Sequence, residues 1–330
     1  MSTQTEDRPR EIRPSVPRAD RVFRGVARGG GLLLLVILVG IGAFLAFKAV
    51  PALKLYGWTF FTNTDWPNID PHKVGIASVA LGSVLVALVA VVVALPLAIA
   101  VALYISEYAP RRIRPTLVTL LDLMAAVPSV IYGLWGFSVL ESAVPGFARW
   151  LQTYLGFIPI FQVNADPRAA LWDQPMYSKS IFLCGLTVSL MALPIAASVM
   201  REVFSQAPPG EREAAFALGG SKWGMIRDVV LPFGRGGMIG GTMLGLGRAL
   251  GETIAVSLII SPTFGFSAHI LERGGDTISA LIALTFGDAT PRQLSGLLAA
   301  GLVLFVITMV INLLAGVVVA RSRSGAATEI

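Results

Sequence analysis

Cysteine is nearly missing from this chain, since Cys184, inside an apolar run, is the single example. An internal disulfide and a thiolate metal cluster are both excluded. Histidine is equally scarce, and His72 and His269 show no metal-ligand spacing. Charge is thin as well: 14% of residues are charged against 55% hydrophobic, and mean hydropathy is +0.72. A soluble domain carries charge on roughly a quarter of its residues, so a soluble enzyme is excluded. None of the five lysines, at 48, 54, 73, 179 and 222, follows a glycine. The Gly-Lys-Ser/Thr core of a phosphate-binding loop is therefore absent, and the chain does not hydrolyse ATP by that route.

What is there belongs in a bilayer. The net charge of +6 sits in short loops beside apolar runs, where basic residues act as topology signals, so no nucleic-acid partner is expected. Six apolar stretches, at 31–50, 76–105, 116–140, 180–200, 236–261 and 293–320, are each long enough to cross a hydrocarbon core of about 30 Å as helix. The fold class expected is all-α, a polytopic membrane protein with six transmembrane helices. Residues 1–30, with Pro9, Pro14 and Pro17, lack apolar periodicity and read as a mobile cytoplasmic tail. Segment 31–50 is a first anchor that lacks a small-x-small cleavage signal and is expected to be retained, 76–320 is the core, and 321–330 is a second cytoplasmic tail. Pro96, Pro128 and Pro194 predict kinks in spans two, three and four.

Lysine and arginine set the orientation. With the N-terminus inside, the inward segments hold 17 of them against about 8 on the outer side, Lys48 at the end of the first span included, so both termini are expected in the cytoplasm. The outward loops carry Trp58, Phe60, Phe61 and Trp66, then Trp150, Tyr154 and Phe157, read first as interfacial anchors and second as a docking surface for an outer partner.

Between spans four and five lies a charged, glycine-punctuated loop, 201–235. Pro208-Pro209-Gly210-Glu211 predicts a helix start, with Glu complementing the positive end of the dipole. The helix should run over about 210–218, exit at Gly219-Gly220, restart with Ser221 as cap, and end at Leu231-Pro232. On its first arm Ala214 and Ala215 permit close backbone approach, Phe216 offers an apolar knob, and Glu213 offers a charge for a basic partner. An ordinary solvated loop is the competing reading of the tripeptide alone.

The longer string is Glu213-Ala214-Ala215, three residues, Gly219, nine residues, Val229, one residue, Leu231-Pro232. It resembles the "EAA" loop in the membrane subunits of binding-protein-dependent ABC importers, with Val229 where Ile is usual. The resemblance implies a coupling helix resting in a cleft of a separate cytoplasmic ATPase, with Glu213, Ala214, Ala215 and Gly219 at that contact, where the Phe216 knob is expected to join them.

Span five, "GGMIGGTMLGLGRALGETIAVSLIISP", holds Arg248 and Glu252 one helical turn apart. On a continuous helix both fall within the face made by Gly237, Gly241, Gly245 and Gly251, while Ile239, Leu246 and Leu250 form an apolar back suited to lipid. A lone arginine at bilayer centre costs about 2.5–3.5 kcal/mol, whereas an exposed pair at this spacing returns only about 0.3–0.5 kcal/mol. The pair does not account for its own presence, and a role in a substrate pathway is the sharper reading; a salt bridge that fixes helix packing is the blander one. A guanidinium fork suits a tetrahedral oxyanion, and Glu252 could hold Arg248 or accept a proton from hydrogenphosphate.

"GLGRALGE" resembles the corresponding span of phosphate, sulfate and molybdate importers. "DRVFRG", "YISEYAPRR" and "LLDLMAAVPSVIYGLWG" narrow the resemblance to the C-type permease subunits of phosphate-specific ABC importers, over nearly the whole chain. Asp122 departs from the pattern, which has Glu there, and is read as a helix-end carboxylate facing the bundle. The resemblance implies a type I ABC importer permease fold in a bacterial inner membrane. It further implies an A-type permease subunit as partner, two ATPase subunits, and an extracytoplasmic phosphate-binding protein. No cofactor is bound by the chain itself, ATP and Mg2+ residing on the partner ATPase. Sulfate or molybdate as cargo, a scaffold relaying phosphate status to a phosphate-signalling regulator, and a channel or secondary carrier remain the alternatives.

Overall fold

The computed structural model describes residues 18–66, 74–163, 177–262 and 268–322. Among them there is no β-strand, only an isolated bridge between Ser180 and Arg273. Helix α1 spans Arg18–Tyr56 and belongs to two compact units, divided between Phe47 and Lys48. Its start lies inside the stretch expected to lack regular structure, because Asp20 pairs with Arg24 one turn on, at 3.1 Å, and complements the N-terminal dipole. Residues 1–17 and 323–330 lie outside the described residues.

The second unit, from Lys48, holds the bundle. After the short α2 (Thr59–Thr62) come α3 (Ala77–Leu103) with a π turn at Tyr104–Tyr108, α4 (Arg114–Ala126) and α5 (Ser129–Trp135). A further π turn, Gly136–Leu140, leads into α6 (Glu141–Leu155), followed by α7 (Ile181–Ser205). The 201–235 loop contains α8 (Pro209–Ala217), α9 (Lys222–Met225) and α10 (Leu231–Phe233), and then α11 (Arg235–Gly251), α12 (Ile254–Ile259), α13 (Ile278–Thr285) and α14 (Pro291–Ser322) complete the chain. Among the described residues five stretches are long and apolar enough to cross a membrane: Ala19–Tyr56, Ala77–Tyr108, Ser129–Leu155, Ile181–Ser205 and Pro291–Val317. A sixth arises if Lys222–Phe233 and Arg235–Gly251, bent by 67°, count as one.

Two expected spans differ from the structure. The third breaks at Val127-Pro128, where both residues are extended, so its apolar stretch lies at 129–155 rather than 116–140. Proline explains this, because it disfavours helical backbone in the residue before it. Pro96 and Pro194, by contrast, sit inside unbroken α3 and α7. The fifth span stops at Gly251 and resumes at Ile254, and no proline explains that.

Helix α3 is apolar all round. Val86, Ala90, Ala94 and Ala98 are buried against the bundle, whereas Val84, Leu88 and Val92 are exposed, as a lipid-facing side should be. The glycine face of α11 meets α7: a Cβ on Gly237 would lie 2.6 Å from Val203 Cβ, and one on Gly241 2.8 Å from the Ala196 carbonyl. Leu250, expected toward lipid, is buried, because α11 also packs on α3 and α14. The Ser295 hydroxyl of α14 enters the α1 backbone ladder beside Pro51, accepting from Ala52 N–H at 3.1 Å and donating to the Lys48 carbonyl at 2.9 Å. The aromatic group after α1 divides: Trp58 is exposed, but Phe60 and Trp66 are core residues beside Ile76, Ile278 and Leu297.

Candidate functional site

The two broken spans lie against each other. Helix α5 packs on α12 with Gly133 at the contact, where an added Cβ would stand 2.8 Å from Ala255 Cα. Gly136, at the start of the following π turn, approaches Ile259 and Thr187 as closely. Irregular backbone at membrane depth leaves polar groups that only protein or a wet cavity can satisfy. The bundle supplies some partners: the Tyr132 hydroxyl donates to the Met124 carbonyl at 2.9 Å across the first break, and Ser279 Oγ donates to the Glu252 carbonyl at 2.7 Å across the second.

Arg248 and Glu252 flank that second break, but not as a helical pair. Glu252 has extended backbone (φ −68°, ψ 128°), and its buried carboxylate accepts from Ala255 N–H at 3.2 Å, capping α12. The wheel geometry expected for the two residues fails past Gly251 for this reason. Among the described residues Arg248 forms no ion pair, and its Nε is buried with no hydrogen-bond partner. A guanidinium left uncompensated within its own chain is costly where water is scarce, so the site favours an anion.

One buried acid was missed by sequence reasoning. Asp276, in the loop before α13, is 2% exposed; Oδ1 accepts from Thr277 N–H at 2.7 Å, and Oδ2 is buried without a partner. Burial pushes its carboxyl up to about 7. Its backbone carbonyl sits where a side chain on Gly82 of α3 would have to go. Asp122, read as facing the bundle, is instead exposed on α4 beside exposed Leu120, Leu123 and Met124, because only Leu121 of that helix turns inward. His269 Nδ1 lies 3.2 Å from the Glu272 carboxylate, His72 lies outside the described residues, and no group of three metal-ligating side chains occurs among the described residues.

The 201–235 loop forms a helix–elbow–helix. Gly219 is left-handed (φ +81°), Gly220 N–H donates to the Ala215 carbonyl at 3.0 Å, and Ser221 Oγ accepts from Gly224 N–H at 3.1 Å. The second arm runs over Lys222–Phe233 and ends one residue past Leu231-Pro232, as expected. A π turn at Ile226–Val230 leads into α10, which bends into α11 at Gly234. Glu213, Ala214 and Phe216 are exposed, Ala215 is half-buried, and Leu218 and Trp223 add apolar surface at 89% and 58% exposure. Beneath this surface Arg212 donates to the Glu107 carboxylate at 2.9 Å, to the Phe204 carbonyl at 2.7 Å and to the Ala207 carbonyl at 3.1 Å.

Residues 94–324, which include both breaks and the elbow, match the family described as "Binding-protein-dependent transport system inner membrane component". The chain belongs to this family. As a member it is a multi-pass inner-membrane transport subunit rather than an enzyme. It is 36% identical over 305 residues, 92% of each chain, to "Phosphate transport system permease protein PstC 2" of Mycobacterium bovis. It is 35% identical to "Phosphate transport system permease protein PstC" of Xylella fastidiosa, covering 92% of this chain and 91% of the relative. A bacterial ABC transporter that imports the acidic polysaccharide alginate shares the fold of this inner membrane component, with TM-score 0.50 and 19% identity over 94% of this chain and 100% of that one.

Proposed function

We propose that this chain is the membrane-spanning permease subunit of an ATP-driven phosphate importer. The observation that carries the reading is Arg248, a guanidinium without an ion-pair partner among the described residues, at the junction of two broken helices in a chain akin to phosphate permeases along almost its full length. Broken helices at mid-bundle are a recurrent way to present polar groups to an ion inside a bilayer. Arg248 is the handle that phosphate meets, by two parallel charge-assisted hydrogen bonds, and Glu252 holds the break open beside it. The exposed carboxylate of Asp122 amid exposed leucines supports a protein neighbour on that face, a second, A-type permease subunit.

The basic inward segments support an orientation with both termini cytoplasmic. The elbow then faces two ATPase subunits, with Glu213, Ala214, Ala215, Phe216 and Gly219 at the contact and Leu218 and Trp223 extending it. ATP and Mg2+ belong to those subunits, and this chain holds no cofactor. An extracytoplasmic phosphate-binding protein delivers cargo to the outward loops, and a phosphate-signalling regulator can read the assembled complex. Closure of the motor draws the elbows of the two permease subunits together and opens the outer side, and hydrolysis resets the inward-open state. Reconstitution of all four components in lipid tests this. Phosphate-loaded binding protein is expected to raise ATP turnover and phosphate accumulation together, and unchanged turnover would overturn the reading.

A further inference from the structure

Helix α8 contributes no fully buried residue to the bundle, and half-buried Ala215 is its apolar contact with the core. Its firm attachment is polar. Arg212 uses all three guanidinium nitrogens, and its partner Glu107, 4% exposed, lies 105 residues away at the end of α3. A second contact reaches the neighbouring residue from the other arm of the elbow: Lys222 Nζ, at the start of α9, sits 4.5 Å from the centroid of the Tyr108 ring. Both residues close the π turn Tyr104–Tyr108, and wider turns of this kind are frequent at functional sites.

The chain itself joins the elbow to α7, which ends at Ser205, and to α11, which α10 enters directly. It does not join the elbow to α3. Yet α3 packs along both α7 and α11, and its far end meets the Asp276 loop. We propose that Arg212–Glu107, seconded by Lys222–Tyr108, is the positioning contact through which the elbow moves α3 in step with α7 and α11. Arg212 and Glu107 thus set coupling, not substrate binding or ATPase docking. This inference rests on the ATP-driven reading above.

The test measures ATP hydrolysed per phosphate transported, with the complete complex in lipid, phosphate-loaded binding protein outside, and values normalised to assembled complex. Glu107→Gln, which keeps shape but removes charge, is expected to raise that ratio about tenfold while ATPase co-purification stays unchanged. Glu107→Gln combined with Arg212→Gln should raise it no further than either alone. Tyr108→Leu, at a half-exposed position that tolerates change, is expected to raise it about two- to threefold. A wild-type ratio in Glu107→Gln, or transport and hydrolysis falling in proportion, would overturn the proposal. If Glu107→Gln does not assemble, Tyr108→Leu decides: a raised ratio supports the contact and a wild-type ratio refutes it. Should the wild-type complex show no phosphate-dependent turnover, the transport reading fails instead.

Discussion

The elbow and the paired helix breaks are built on opposite plans. At the elbow every conformational demand is met by a residue suited to it: Gly219 takes the left-handed exit, Ser221 caps the restart, and the apolar side chains Phe216, Leu218 and Trp223 face outward. At the breaks the chain departs from regular structure where a membrane makes departure costly, and Arg248 carries a charge with no ion-pair partner among the described residues. The elbow is locally relaxed and outwardly apolar, as the proposed ATPase contact requires. The breaks are irregular and leave the Arg248 Nε buried without a partner, as the proposed ion pathway requires.

Variants that separate the two regions sharpen this contrast. The largest effect is expected from Arg248→Gln, which should lower phosphate uptake by at least about a hundredfold, since a charge-assisted bidentate contact is lost, while ATPase co-purification persists. Near wild-type uptake would remove Arg248 from the pathway. Gly133→Val comes next. Its side chain meets the Ala255 backbone at 2.8 Å, so α5 and α12 must separate, at about 1–3 kcal/mol, and thermal unfolding in detergent should fall by several degrees. Gly219→Val follows, because a β-branched residue at φ +81° costs about 1–2 kcal/mol locally. Membrane insertion should be unchanged and ATPase capture weakened, measured by crosslinking through cysteines at 214 or 215.

The last prediction concerns pH rather than a side-chain clash. Asp276 has a folded-state value raised to about 7 from 3.8, so its neutral form favours folding. That contribution is complete below the unfolded value, declines as pH rises from about 4, and is gone once pH passes about 7. Melting temperature in detergent should therefore drop between pH 5 and 8, and Asp276→Asn should flatten the profile. An unchanged slope would assign the pH dependence elsewhere.

Much of the elbow was readable residue by residue, since proline starts, glycine exits and serine caps act over a few positions. Leu231-Pro232 marked the end of the second arm to within one residue, and only the π turn at Ile226–Val230 ahead of it went unsignalled. The site was legible only as a pair of unusual residues. Arg248 stood out for its cost, but the wheel that joined it to Glu252 assumed a helix that ends at Gly251. Asp276 gave no signal, and Glu107 and Tyr108 entered only within the string "YISEYAPRR", because their contacts are remote in the chain or to backbone groups.

Composition and apolar run length alone determined that this chain lives in a bilayer as a helical bundle, because hydrophobic transfer and backbone satisfaction depend on residue type and length. Short-range stereochemistry determined the elbow in the same way. Only the tertiary structure decided where α11 stops, that α5 and α12 meet across Gly133, and that Arg248 is left without an ion-pair partner among the described residues. Those outcomes arise from contacts between segments far apart in sequence, which no local propensity encodes.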